Sequence, residues 1–119
     1  MIQRLEISGV HTKLTNDTEM YVHKKIGTLD KYVPKNAKSS LHVEVKLKQS
    51  KAKNRPAHTC EVITHLPHES ITTVAKERTM LAAIDEAEAK LKLQLKKYKE
   101  KHGGPRLHRR VLRRLKRSR

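Results

Sequence analysis

Residues 79–101 read TMLAAIDEAEAKLKLQLKKYKEK. Within them Met80, Ile84, Ala87, Leu91, Leu95 and Tyr98 recur at steps of four, three, four, four and three, the period of one apolar helix face. Turning by about 100° per residue from the Ile84–Leu91 line puts Lys90, Gln94, Lys97 and Lys101 on one flank. Lys92, Lys96 and Lys99 fall on the other. The spacing therefore predicts a helix whose underside closes a core and whose shoulders are basic, suited to holding phosphates. Leu93 points almost straight outward.

Upstream of that helix the pattern changes to a period of two. LHVEVKLK at 41–48 alternates strictly, with Leu41, Val43, Val45 and Leu47 on one side and His42, Glu44, Lys46 and Lys48 on the other. One buried and one wet face is the habit of an antiparallel-type sheet with a solvated side. HTCEVITHL at 58–66 and ITTVAK at 71–76 read as two further strands, with Cys60, Val62, Thr64 and Leu66 facing inward. QSKAKNRP at 49–56 is expected to be a polar, mobile loop with a basic tip. IQRLEIS at 2–8 reads as a first short strand, with Gly9 breaking its pattern. Thr15 and Asn16 are both candidate N-caps for a helix running to about Tyr32, stopped by Pro34, with Val22, Ile26 and Leu29 inside. Gly27 inside that helix reads as tolerated at a cost of about 1 kcal/mol.

The order is therefore β-α-β-β-β-α. We expect an α+β fold, a four-stranded sheet with two helices packed on one face and the other face open. Residues 1–102 form one domain in this reading, and 103–119 a basic tail. Gly103-Gly104-Pro105 ends the last helix. The tail RLHRRVLRRLKRSR holds eight basic residues and no acid, which is half of the net charge of +16. It is expected to be disordered when free, and Leu107, Val111 and Leu115, spaced by four, would line one side of a partner-induced helix.

The chain has 119 residues, 28 of them Lys or Arg against 12 acids, and no Phe or Trp. That balance argues for a polyanionic partner. The lone Cys60 allows no intrachain disulfide and fits a reducing compartment. No signal-peptide core or membrane span is visible, so a cytoplasmic location is expected.

Catalytic patterns are missing. No Gly-rich phosphate loop, GxSxG elbow or paired-carboxylate arrangement occurs, and no enzyme activity, cofactor or small-molecule substrate is expected. His65-x-x-His68 with Cys60 could offer three metal ligands, but it straddles a strand end and a turn without a second Cys pair, so no metal site is expected. Glu86 and Glu88 are read as helix ion-pair partners of Lys90 and Lys92. The strands carry no exposed aromatics for base stacking, and no helix-turn-helix or zinc-finger spacing is present. The pattern fits a scaffold that reads folded RNA through its phosphates.

ISGVHTKLT at 7–15, YVHKKIGTLDKY at 21–32 and LAAIDEAEAKLKLQLKKYKEK at 81–101 resemble the ribosome hibernation promoting factors, also called ribosome-associated inhibitor or protein Y. The resemblance covers about residues 2–101. It is most specific in AID followed by KL-x-x-Q-L-x-K and in the L-x-K-Y that closes the first helix. It implies binding of 70S-type ribosomes at the small subunit, on 16S-type ribosomal RNA, in the channel used by messenger RNA and by transfer RNA at the A and P sites. Translation is thereby inhibited and idle ribosomes are preserved under stress or in stationary phase. By position, Lys25, Lys31, Lys90, Gln94 and Lys97 match the family's RNA-contacting residues. Lys92, Lys96 and Lys99 have no such match and read as solvated charge. Lys24, Lys101 and the tail's Arg109, Arg110, Arg113 and Arg114 complete the expected RNA-binding set. Members usually carry an Asp and an aromatic where this chain has Thr79 and Leu81, and often an Arg where it has Leu93. The chain resembles a short form lacking the family's dimerising second domain. A constitutive ribosomal or assembly-stage RNA-binding protein is the alternative reading, and a membrane-surface or protein-interaction module a third.

Overall fold

A computed structural model describes residues 1–52 and 55–102. The chain runs through β1 (Leu5–Val10), α1 (Asn16–Lys25), a 3₁₀ turn (Leu29–Tyr32), a short α2 (Lys35–Lys38), β2 (His42–Ala52), β3 (Arg55–His65), β4 (Ser70–Glu77) and α3 (Met80–His102). The strands form one sheet in the order β1-β2-β3-β4. β2, β3 and β4 are antiparallel neighbours, whereas β1 lies parallel to β2, because a helical crossover connects them. The sheet is thus mixed, where strand alternation alone suggested an antiparallel one.

Alternation sorts the side chains as expected. Val43, Val45 and Leu47 of β2, Cys60, Val62 and Thr64 of β3, and Thr73 and Ala75 of β4 are buried on the inner face. The helices cover that face, and the other is left open. Ala83, Ile84, Ala87, Leu91, Leu95 and Tyr98 of α3 pack against it, with Met80 partly buried at the start. Thr79 caps α3, its hydroxyl accepting from the Ala82 amide at 3.2 Å. Burial of Cys60 pushes its thiol up to about 12, so it is a neutral core group and no nucleophile.

The first helix is shorter than its apolar pattern suggests. Thr15, not Asn16, is the N-cap, accepting from the Thr18 amide at 3.1 Å. The helix then stops at Lys25. The Ile26 and Gly27 amides both donate to the Val22 carbonyl, at 2.7 and 3.2 Å, and the Thr28 hydroxyl closes the Lys24 carbonyl at 2.9 Å. A Cβ at Gly27 would lie 2.4 Å from the His23 carbonyl oxygen. Gly27 is therefore required by this close turn and is not a tolerated helix residue. Val22, Ile26, Leu29 and Val33 are nonetheless all buried, because the 3₁₀ turn resumes the inward face.

The first strand also differs from the alternation pattern. The Ile2 amide donates to the Gly27 carbonyl at 2.8 Å and the terminal ammonium pairs with Asp30 at 3.0 Å, so residue 2 belongs to the helical layer. The strand instead continues through Gly9, paired with Leu47, to Val10. His11 follows with φ 56°, the left-handed turn that folds the chain over Gly9, where a Cβ would meet the Thr12 carbonyl oxygen at 2.9 Å. The expected polar loop at 49–56 is mostly ladder, with pairing running out to Ala52 and Arg55. Lys53 lies outside the described residues, as do Arg109, Arg110, Arg113, Arg114 and the rest of 103–119. Among the described residues no helix is long and apolar enough to cross a membrane.

Gly27→Ala separates the two readings of that glycine. In a helix interior the change would stabilise by about 1 kcal/mol. With the His23 carbonyl 2.4 Å from the new methyl, it should destabilise by about 1–3 kcal/mol in urea unfolding. Cys60 should react with a thiol reagent no faster than the chain opens, at a rate that rises with denaturant.

Candidate nucleic-acid interface

Two of the three tyrosines mark the two contacts between the N-terminal helical segment and α3. At the first, the Tyr21 hydroxyl donates to Asp85 Oδ1 at 2.5 Å, and Lys25 Nζ stands 3.8 Å from the same oxygen and 5.7 Å from the Tyr21 ring centroid. The hydrogen bond to Asp85 holds the Tyr21 phenol above its ordinary value, as a proton donor to the carboxylate. This clamp fixes how α1 lies on α3. It also gives part of the Lys25 charge a local partner.

The second contact is purely basic. Lys31 from the 3₁₀ turn and Lys92 and Lys96 from α3 reach the Tyr32 ring at 5.4, 5.4 and 5.5 Å from its centroid. A hydrogen bond from Lys92 and the charges of Lys31 and Lys96 hold the Tyr32 phenol below the usual tyrosine pKa, with burial opposing. Among the described residues no carboxylate lies within ion-pair distance of these three lysines. A cation on an exposed aromatic face gains about 0.5–1 kcal/mol. Unit charges a few ångströms apart in water repel by about 1 kcal/mol. Attraction to the ring is thus no larger than the repulsion such charges exert on one another at close range, and an anion beside Tyr32 would be favoured by all three. The expected pair of Glu88 with Lys92 is not formed, because Lys92 turns to the ring.

The opposite flank of α3 faces the sheet edge. Lys90 Nζ donates to the Val74 carbonyl of β4 at 3.0 Å and lies 3.2 Å from Glu86, the helix pair expected from spacing. Glu77 stands against Glu86 and is raised by it, while Glu86 is held low, so Lys90 sits in locally compensated surroundings. The Thr73 hydroxyl donates to the Gln94 side-chain carbonyl at 2.5 Å. Lys101 is 3.7 Å from Glu69. Gln94, Lys101 and Glu69, with Ile71, Lys97 and Tyr98, line a shallow depression between α3 and the β3–β4 turn.

The expected RNA-binding residues are thus split. Lys25 and Lys31 gather on the side where the 3₁₀ turn meets α3. Lys90, Gln94, Lys97 and Lys101 lie along β4, and Lys24 is exposed on α1. Sequence reasoning leaves Lys92 and Lys96 as solvated charge, although both flank the Tyr32 of the L-x-K-Y motif. Their i,i+4 spacing on the flank facing the first helix was the available signal. Leu93 is 62% exposed and Leu81 50%, so these two of the three departures from the family pattern stand open to solvent on α3.

The metal grouping considered from sequence does not form, since Cys60 faces inward while His65 is on the open face. Among the described residues one other cluster, Glu6, His42 and Glu44, brings metal-ligating atoms together.

The chain is 31% identical over 98 residues to ribosome hibernation promotion factors of Lactococcus lactis and Staphylococcus aureus, covering 81% of this chain and 49% and 48% of theirs. It spans about half the length of these relatives. With the ribosome hibernation promoting factor of Pseudomonas putida it shares 30% identity over 98 residues, 82% of this chain and 88% of that one. The N-terminal domain of Thermus thermophilus protein Y superposes with a TM-score of 0.63 at 27% identity, covering 82% of this chain and 97% of that one. A ribosomal subunit interface protein of Coxiella burnetii has the same fold, with a TM-score of 0.65 at 18% identity over 82% and 98% of the two chains. The model of the Sigma 54 modulation protein / S30EA ribosomal protein family matches residues 5–103, and the chain belongs to that family.

Proposed function

We propose that this chain is a ribosome hibernation factor. Its helical layer binds small-subunit ribosomal RNA in the channel otherwise used by messenger RNA and by transfer RNA at the A and P sites. Idle ribosomes of the 70S type are thereby held out of translation and preserved through stress or stationary phase. The role is binding in the cytoplasm, with no reaction catalysed.

The observation that carries this reading is the cluster of Lys31, Lys92 and Lys96 around Tyr32, cationic and free of carboxylate partners among the described residues. Its charge is suited to a phosphate, and the phenol beneath offers a hydrogen bond and a stacking surface. Lys24, Lys25, Lys97 and Lys101 extend the basic surface to either side. The names borne by the relatives point in the same direction. Lys90 and Gln94 act in part through the sheet, since each is tied to β4. Residues 1–102 form the binding domain in this reading. Arg109, Arg110, Arg113 and Arg114 of the tail add phosphate contacts.

Replacing Lys92 and Lys96 together by Ala should weaken ribosome binding and leave the unfolding midpoint nearly unchanged. The slope of log affinity against log salt should become shallower by about 0.7–0.9 for each phosphate no longer neutralised. Lys90→Ala should lower both affinity and unfolding midpoint, because it also strips the Val74 carbonyl of its donor. Unaltered affinity and slope in the Lys92/Lys96 double variant would sink the Tyr32-centred interface. On sucrose gradients, the chain should sediment with ribosomes from starved cells and leave them when initiation resumes. Constant one-to-one presence on small subunits during fast growth would instead support a constitutive ribosomal protein.

A further inference from the structure

The open face of the sheet, opposite the helices, holds side chains that lie outside the RNA-binding surface proposed above. Glu6 of β1 is registered against Glu44 of β2, and His42 of β2 against His65 of β3. One ligand atom each from Glu6, His42 and Glu44 fall within 4.8 Å of one another. His42 Nε2 stands 3.6 Å from Glu6 Oε1. The His42 and His65 rings stack, with centroids 5.3 Å apart and 27° between planes. His65 Nε2 is 2.9 Å from Glu44 Oε2, and its Nδ1 is 3.3 Å from Ser70 Oγ.

Both ring nitrogens of His65 are therefore occupied. An Nε2–H donating to Glu44, with Nδ1 facing the Ser70 hydroxyl, uses both sides of the ring. Hydrogen bonds of this kind aim a metal-binding carboxylate. Glu6 and Glu44 are register partners on neighbouring strands, and the surrounding basic side chains, with the His65 hydrogen bond foremost, hold the Glu44 carboxyl below its ordinary value, as the anion a cation would need. His42 is stacked in place beside that pair, and its Nε2 is turned toward the carboxylates.

We propose that Glu6, His42 and Glu44 bind a divalent transition-metal ion, zinc in preference to magnesium or calcium, with His65 orienting Glu44. An imidazole with two carboxylates suits zinc, whereas magnesium and calcium favour oxygen-only cages. Zinc ligands about 2.0–2.2 Å from the ion lie closer together than these atoms do now. Glu6 is 71% exposed and His42 and Glu44 each 33%, so rotamer changes at the surface can draw them in. Three protein ligands leave a coordination position for water or for a donor from a partner.

The test is calorimetric titration of the full-length chain with zinc chloride, repeated with magnesium chloride, while imidazole resonances are followed by NMR. We expect one zinc ion per chain at this site, with the ring signals of His42 and His65 moving together and no comparable response to magnesium. His42→Gln and Glu44→Gln should each weaken the site at least tenfold. His11→Gln, a control for adventitious binding by surface histidines, should leave it unchanged. All of these side chains are at least partly exposed, and unfolding midpoints without metal will confirm that the variants fold. The proposal is overturned if zinc shifts other histidines while leaving His42 and His65 in place. Equal binding by His42→Gln and the parent chain would overturn it too, leaving the four residues as cross-strand ion pairs.

Discussion

The seating of one helix face on one sheet face is the contact on which the rest of this molecule depends. Ile84, Leu91 and Leu95 are almost wholly withdrawn from water, and each such side chain contributes about 1.5–3 kcal/mol. α3 also carries six lysines, whose like-charge contacts along a helix cost only a few tenths of a kcal/mol each. Burial wins by a wide margin. The helix can therefore display six lysines at little cost to the fold, and the sheet fixes where they stand.

Rigidity makes the two flanks of α3 different from each other. Toward β4, Lys90 and Gln94 are tied to strand groups and Lys90 has acidic neighbours. Toward the N-terminal helical segment, Asp85 takes up Tyr21 and Lys25, and one turn or more further along the lysines meet around Tyr32 without an acid. The acidic residues of α3 are confined to its first half, Asp85 to Glu88, apart from Glu100. Asp85 holds Tyr21 and Lys25 and Glu86 pairs with Lys90, and none of them pairs with Lys92 or Lys96.

Much of this could be read in the sequence, because period is a local property. The strict alternation of 41–48 and the helical spacing of 80–98 each identify an element and its buried side at once. The break at Gly27 was hidden because the inward residues on either side, Val22, Ile26 and Leu29, keep a helical rhythm through a turn that is not α-helical. The parallel partner of β2 was hidden for another reason: alternation reports which face is wet and says nothing of strand direction. Sites were harder than elements. Lys31 and Lys92 meet at Tyr32 across some sixty positions of chain, and Glu6 meets Glu44 across nearly forty. No spacing rule connects such pairs. Only the register of the sheet and the angle of the helices bring them together. The residue-by-residue match to the family, for its part, cannot tell a lysine that faces outward from one turned back onto its own sheet.

The bond from Lys90 to Val74 reaches beyond binding. β4 is one of the two edge strands of the sheet, and an edge strand offers its backbone to any other extended chain that comes near. Lys90 places a cation on that edge and fills one of its acceptors. A second copy trying to add a strand beside β4 would meet charge and a satisfied carbonyl. Under the function proposed above, the basic face has to stay accessible, and an edge closed to copies of the same chain keeps it so.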